Sequence, residues 1–429
     1  MFQRAGLWPW PRRGAPRVGL CGLLGRGNLG NDGSLEAVVA YLRRSHPDAV
    51  LDFLCAGPEQ LSARYGVPAA KLRWYHSDKV GSSRIYGLIM RSLGASLSLI
   101  IDAVRISNWV RRHEVVIVPG MGVLEATLPL RVWHTPYWMF IVCAAGRIFG
   151  TKIALVSVGA SAIDQQPMRW LFTSAARLAY YRSYRDTAAQ DAMLAMGVNA
   201  QRDPVYPDVA FSLPKPPDGT GPHGAVGVGV MEYSGGNDDR AEASAIHQAY
   251  VEKMKQFVRW LVDQGRPVRL IIGDGDDQGV AMEILADLHA SRPEIESSQV
   301  IFEPAASLDD VMRQMAAVDI VVATRFHNVV CALRMAKPTL AIGYASKHSA
   351  LMADMGFPEF CEHAKSLDVS KLAERFIELE ARAAEVREVL AVRNAMQEQL
   401  VDDQFARLSE ILLGCSQPDS SASEMPAAA

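Results

Sequence analysis

The chain is 429 residues long, 49% hydrophobic and 21% charged, too long for one ordinary domain and about right for two with a sizeable core. The 44 basic and 47 acidic residues leave a formal net charge of -3, so no bulk positive field points to nucleic acid as a partner. The six cysteines are scattered without a C-x-x-C pair, which argues against a disulfide framework or a zinc site and fits a reducing, cytoplasmic setting.

The N-terminal stretch MFQRAGLWPWPRRGAPRVGL sets Pro and Arg where a signal peptide needs an unbroken apolar run. Strands are predicted at Arg17–Leu23, Val50–Cys55, Glu114–Val118, Lys152–Val158 and Tyr180–Tyr184, with helical periodicity between them at Gly33–Arg44 and Thr187–Met196. Such alternation is the signature of β-α-β units and a parallel sheet. Two apolar runs, Tyr86–Arg112 and Tyr137–Gly150, stop short of a membrane span. Both read as core helices. For the first, with its Trp109 and four arginines, the alternative is a patch resting on the inner membrane face.

The alternation breaks at SLPKPPDGTGPHG, Ser212–Gly224, whose Pro and Gly content marks a linker. It resumes with strands at Ala225–Met231, Pro267–Ile272, Gln299–Phe302, Asp319–Ala323 and Thr339–Ile342 and helices at Glu242–Asp263 and Leu308–Ala317. Ser307 and Asp310 give the last of these a capping-box start. The expected fold is α/β: two Rossmann-like doubly wound domains, 1–214 and 215–369, facing a cleft. A C-terminal helical region, 370–414, and a disordered tail, 415–429, complete it.

In open α/β sheets, ligands bind beyond the carboxyl ends of the strands, so the loops there carry the candidate site. The first, GLLGRGNLGNDGS, spaces Gly25, Gly27 and Gly30 as G-x-G-x-x-G and includes Asn28 and Asp32. Its glycines let backbone N–H groups approach an anion or a sugar. The second strand ends in Cys55-Ala56-Gly57, where a nicotinamide ribose would need an acid, so a dinucleotide site is not expected. The loop after the third strand offers Gly120, Gly122 and the carboxylate Glu125. Arg185 stands where the fifth strand gives way to a helix that Asp186 can cap; alone, it reads equally well as a partner of Asp186 or Asp208.

The stretch VVATRFHNVVCALRMAKPTLAIGYASKH sets Arg325 and His327 at a strand-to-helix junction and Lys347 and His348 after the next strand. A helix N-terminus favours an anion. A guanidinium fork suits carboxylate or phosphate, and a histidine can deliver a proton near neutral pH. GDGDDQG reads as a capped turn in preference to a D-x-D metal motif, and no histidine pair has metal-ligand spacing, so no metal is expected.

The segments GLLGRGNLGNDGSLEAVVAYL, RSYRDTAAQDAMLAMGV, AAVDIVVATRFHNVVCALRMAKPTLAIGY and SKHSALMADMGF resemble, in order and spacing, the polysaccharide pyruvyl transferase family across roughly Arg17–Phe357. The resemblance implies a GT-B-like fold and transfer of a pyruvyl group from phosphoenolpyruvate, as co-substrate without further cofactor, to two hydroxyls of one sugar as a cyclic ketal. It implies that Arg185, Arg325 and Lys347 bind the donor and that His327 is the general acid. Gly27, Asn28, Gly30, Asp32, Gly120 and Gly122 would then serve the acceptor loops. The acceptor is expected to be a sugar, nucleotide sugar or lipid-linked glycan used in cell-envelope or exopolysaccharide synthesis. Asn31 departs from the family, which carries an acid there, and PGMG and VGASAI are poorer in glycine than usual. Two other readings fit the same residues: a nucleotide-sugar glycosyltransferase of this architecture, and a non-catalytic scaffold.

Overall fold

The computed structural model describes residues 15–73, 86–126, 128, 130–217, 219, 221–296 and 298–414, with the backbone alone over 86–96. The polar tail expected at 415–429 lies outside the described residues.

Two parallel sheets of six strands form the frame. The first holds β1 (Arg17–Gly22), β2 (Val50–Cys55), β3 (Ala69–Lys71), β4 (Val115–Pro119), β5 (Lys152–Val158) and β6 (Tyr181–Tyr184), ordered β3-β2-β1-β4-β5-β6. Its helices are α1 (Leu29–Ser45), α2 (Pro58–Tyr65), α3 (Tyr86–Val110), α4 (Thr135–Phe149), α5 (Gln166–Leu178) and α6 (Thr187–Ala195). The second sheet repeats the pattern with β7 (Val226–Gly229), β8 (Val268–Ile271), β9 (Val300–Phe302), β10 (Ile320–Ala323), β11 (Thr339–Gly343) and β12 (Cys361–His363), ordered β12-β11-β10-β7-β8-β9. Around it lie α7 (Ala243–Asp263), α8 (Gln278–Ser291), α9 (Leu308–Ala316), α10 (Phe326–Arg334) and α11 (Ser346–Asp354). The central strands are apolar on both faces, as sheets covered by helices on both sides require: every residue of VVIVP in β4 and IVVA in β10 is buried.

In each sheet the order reverses between the first and fourth strands, β1/β4 and β7/β10, and such switch points open the crevice where α/β sheets bind ligands. The two crevices face each other. Leu29 N donates to Gly273 O (3.0 Å) and Gly275 N to Gly27 O (3.1 Å), so the loop after β1 pairs with the loop after β8. Helix α1 packs on α9 and α10 through its glycines. A Cβ at Gly33 would lie 2.6 Å from Leu308 Cγ.

The edge strands β3 and β12 have three residues each and were not expected. The C-terminal helical region breaks at Arg382 into α12 (Val369–Ala381) and α13 (Ala383–Leu408). Helix α13 begins beside the second sheet, where Asn394 Nδ2 donates to Leu333 O (2.8 Å), and ends on the first. There Gln404 Nε2 donates to Ser183 Oγ (2.8 Å), Gln404 Oε1 accepts from Ser157 Oγ (2.9 Å), and Tyr41 Oη donates to Phe405 O (2.8 Å). No helix among the described residues is long and apolar enough to cross a membrane. The outer face of α3 nonetheless exposes Leu97, Ile100 and Val104.

Candidate functional site

A cavity of about 240 Å³ occupies the cleft. The first sheet contributes Leu23, Asn28, Asn31, Gly122, Glu125 and Arg185 to its wall, and the second contributes Gly273, Arg325, Phe326, His327, Tyr344 and Lys347. Every one of these residues follows the carboxyl end of a strand, so the switch-point geometry brings together loops that lie more than 300 residues apart in sequence.

Arg185 and Lys347 converge on one carboxylate. Arg185 Nη2 donates to Glu125 Oε1, and Lys347 Nζ donates to Glu125 Oε2 at 2.9 Å. The Phe326 ring lies under both cations, 4.5 Å from the Arg185 guanidinium carbon and 5.4 Å from Lys347 Nζ. The Arg185 side chain is only 2% exposed. Of the two partners weighed from sequence, Asp186 lies 3.7 Å from Arg185 Nε and caps α6 by accepting from Ala189 N, but the closer partner is Glu125. Burial pulls the Lys347 pKa down to about 8, with Tyr344 opposing the shift and Arg185 adding to it.

Arg325 meets the completely buried carboxylate of Asp277, with Nε 2.9 Å from Oδ2 and Nη2 2.5 Å from Oδ1. Burial alone would lower the guanidinium pKa, but the hydrogen bonds and charge of Asp277 outweigh it and raise it. The fork is thus locked in place with Nη1 on its free side, 3.9 Å from Asp274. The GDGDDQG turn supplies that lock. Asp277 accepts from Gly273 N and Glu232 N as well as from Arg325, and Asp274 accepts from Asp276 N.

His327 Nε2 lies 3.4 Å from Asp208 Oδ2. Burial alone would raise the Asp208 pKa; the charge and hydrogen bonding of His327, with Arg185 and Ala210 N, more than offset it and hold the carboxyl ionised. An ionised carboxylate behind a histidine orients the ring and stabilises a proton on it. The other side of the ring rests on the backbone of α1: a Cβ at Gly30 would fall inside it, 2.6 Å from Cε1. His348 does not reach the cavity. It is buried under Tyr344, with Nε2 3.1 Å from Thr324 O and Nδ1 3.2 Å from Ala345 O.

Among the residues expected in the acceptor loops, Asn28 and Gly122 line the cavity. Gly27, Gly30, Asp32 and Gly120 stand behind it. Gly27 O accepts from Gly275 N, and Gly30 makes room for His327. The Asp32 carboxylate accepts from Gly25 N (2.7 Å) to close the glycine-rich turn, and Gly120 O accepts from Ser34 Oγ (3.1 Å). The glycine-rich loop therefore serves close packing between the two halves, with half-buried Asn28 and Asn31 as its polar contribution to this cavity. Asp208, Asp277 and Glu125 are the site residues that sequence reasoning did not assign. Glu125 and Asp277 sit after the carboxyl ends of strands and Asp208 lies beyond α6, and their partners lie 48 to 222 residues away.

The polysaccharide pyruvyl transferase model matches residues 28–346. No curated protein sequence matches the chain. Solved structures share the fold at low identity. An Anabaena protein, Alr3699/HepE, crystallised with UDP and glucose, has a TM-score of 0.58 at 13% identity over 93% of this chain and all of its own. The S. aureus MnaA–UDP structure scores 0.59 at 10% identity, covering 93% of this chain and 98% of its own. UDP-GlcNAc 2-epimerase from Neisseria meningitidis scores 0.58 at 10% identity, covering 93% of this chain and 100% of its own. The fold is therefore GT-B-like, with two Rossmann-like units. Because the family model spans well over half of the sequence, from the glycine-rich loop to the edge of the Lys347 helix, the chain belongs to the polysaccharide pyruvyl transferase family.

Proposed function

We propose that the cleft transfers the pyruvyl group of phosphoenolpyruvate to two hydroxyls of a sugar, releasing phosphate and forming a ketal. The observation that carries this reading is the Glu125 carboxylate gripped by Arg185 and Lys347 beside Arg325 and His327. The chain's own acid shows that these cations can hold a carboxylate together, next to a proton donor and a third cation. A small donor with one carboxylate and one phosphate has the charges this wall complements.

In this reading the donor displaces Glu125 from Arg185 and Lys347, and its phosphate faces Arg325 and Lys347. His327, oriented by Asp208, gives its proton to the enol methylene carbon. The neighbouring carbon becomes oxocarbenium-like and bonds to the first sugar oxygen, whose proton returns to His327. The carbon–oxygen bond to phosphate breaks, the cations stabilise the departing charge, and the second hydroxyl closes on the same carbon. Its proton leaves with phosphate, so atoms and charge balance.

Calorimetric titration with phosphoenolpyruvate tests the donor site. Binding is expected to the wild-type chain and to be lost in Lys347→Met, a change that leaves the Arg325–Asp277 pair intact. Binding of UDP- or GDP-sugars with none of phosphoenolpyruvate would replace this reading by nucleotide-sugar glycosyl transfer.

A further inference from the structure

A second cavity, of about 470 Å³, opens beside the first and shares Leu23, Asn28 and Asn31 with it. The first-sheet side of its wall carries Arg26, Lys71 and Arg73. Arg131, in the loop before α4, lies close enough for its charge to act on both Arg73 and His134. Among the described residues, none of Arg26, Lys71, Arg73 and Arg131 forms an ion pair. Asp102 is the acid whose charge favours the Arg73 cation, and it is shared with Arg105 at 3.2 Å. On the opposite side, Asp274 and Asp276 line the cavity, but Asp274 is already engaged by Asn28 Nδ2 at 2.9 Å.

The charges on this lip act on one another. Burial lowers the Arg73 pKa, Asp102 offsets part of the shift, and Arg26 and Arg131 lower it further. Burial, then Arg73 and Arg131, hold His134 at about 4. The four cations outnumber the acids near them, Asp102, Asp274 and Asp276, of which Asp102 also serves Arg105 and Asp274 also faces Arg325, so they repel one another, a cost to the fold that a bound anion would reduce. The N-terminus of α4 adds to the field. This helix of 15 residues begins at Thr135, in the wall of the first cavity, and has no acid in its first turn and no side-chain cap.

The placement relative to His327 gives the anion a role. A sugar seated against Leu23, Asn28 and Asn31, where the cavities meet, would turn hydroxyls toward His327 and its opposite end toward the lip. A single phosphate does not need four cations; a diphosphate, with two charged groups to neutralise, does. We propose that the acceptor is a sugar carrying a diphosphate at its anomeric carbon, and that Arg26, Lys71, Arg73 and Arg131 hold that diphosphate. The proposal rests on the pyruvyl-transfer reading for the role of the sugar, but the diphosphate site can be tested apart from it. The same chemistry arises in a nucleoside diphosphate sugar and in a prenyl diphosphate-linked one.

The test is calorimetric titration of the full chain with inorganic pyrophosphate, UDP and farnesyl diphosphate, and separately with phosphoenolpyruvate. The variants are Arg73→Gln, Arg131→Gln and Lys347→Met. Arg131 is exposed, so its replacement leaves the core untouched, and melting temperature verifies the fold of each. Pyrophosphate is expected to bind the wild type and to weaken about tenfold in each arginine variant, with phosphoenolpyruvate affinity unchanged in both. UDP binding tighter than pyrophosphate would support the site with a nucleoside carrier, and tighter farnesyl diphosphate would support it with a lipid carrier. The proposal is overturned if none of the three diphosphates binds, if the arginine variants bind them like the wild type, or if only Lys347→Met loses them. Arginine-dependent pyrophosphate binding without any phosphoenolpyruvate binding would leave the diphosphate site standing and remove the pyruvyl-transfer reading.

Discussion

Gly30→Ala isolates the contact between α1 and the catalytic histidine proposed here. A Cβ at this position would lie 2.6 Å from His327 Cε1 and closer still to Nδ1 and Cγ, whereas ordinary contact begins at 3.4 Å. The ring must therefore retreat by about 0.8 Å at Cε1 and further at the other two atoms. The backbone at Gly30 is helical, so alanine itself is tolerated and even gains up to about 1 kcal/mol of helix propensity. Overpacking costs about 1–3 kcal/mol, and the net loss of stability stays small. The chemistry suffers more, because a misplacement of about 1 Å costs on the order of 100-fold in rate. The assay is phosphate release from phosphoenolpyruvate with a confirmed acceptor. Gly33→Ala serves as the comparison, since its added methyl meets the flexible Leu308 side chain. Turnover is expected to drop about 100-fold in Gly30→Ala and to stay near wild type in Gly33→Ala. Wild-type turnover in Gly30→Ala, or an equal loss in both, would refute the reasoning.

Asp208→Asn removes the charge behind His327, and turnover should fall by roughly 10²–10⁴-fold while calorimetry shows phosphoenolpyruvate affinity nearly unchanged. Glu125→Gln leaves two buried cations without their anion, so its melting temperature should fall in buffer and be restored by phosphoenolpyruvate more strongly than in the wild type. With the Lys347 pKa near 8, donor affinity measured across pH 7 to about 9.5 should weaken as the ammonium loses its proton, and Lys347→Arg should flatten that dependence. His348, driven down to about 3 first by burial and then by the Lys347 charge, stays neutral in the folded chain while the unfolded chain protonates below about 6.5. The unfolded state then binds the extra proton, so stability falls with decreasing pH across that window by about 1.4 kcal/mol per unit from this residue. Thermal melts of His348→Asn should show a correspondingly shallower acid limb.

The frame of the molecule was legible because its signals are local. Buried parallel strands such as VVIVP and IVVA declare themselves as apolar runs, and the alternation with amphipathic helices fixes the carboxyl edges where Arg325, His327 and Lys347 appear. Their partners were not legible, because each is a long-range pairing. Asp277 reaches Arg325 across 48 residues and Glu125 reaches Lys347 across 222, and no local pattern encodes such distances. The glycine-rich loop shows a related limit. Its spacing suggested a surface for ligand, and only the packed fold reveals that Gly27 is small because its backbone is left-handed (φ 93°) and Gly30 because His327 presses against it. The edge strands β3 and β12, at three residues each, carry too few side chains to show a period.

Helix α13 has a consequence for how the chain is made. Gln404 and Phe405 close over Tyr41, Ser157 and Ser183, and Lys152 Nζ donates to the carbonyls of Ile411 (2.9 Å) and Leu412 (3.0 Å). A ribosome delivers the first sheet well before these residues exist. At about 5–20 residues per second, the nascent first half waits on the order of 10–40 s with that surface bare, and Ser157, left-handed in the finished fold (φ 47°), then lacks the glutamine that accepts from its hydroxyl. A stretch synthesised well after the first sheet thus completes it, and a chain shortened before Gln404 would leave that sheet's surface unsealed.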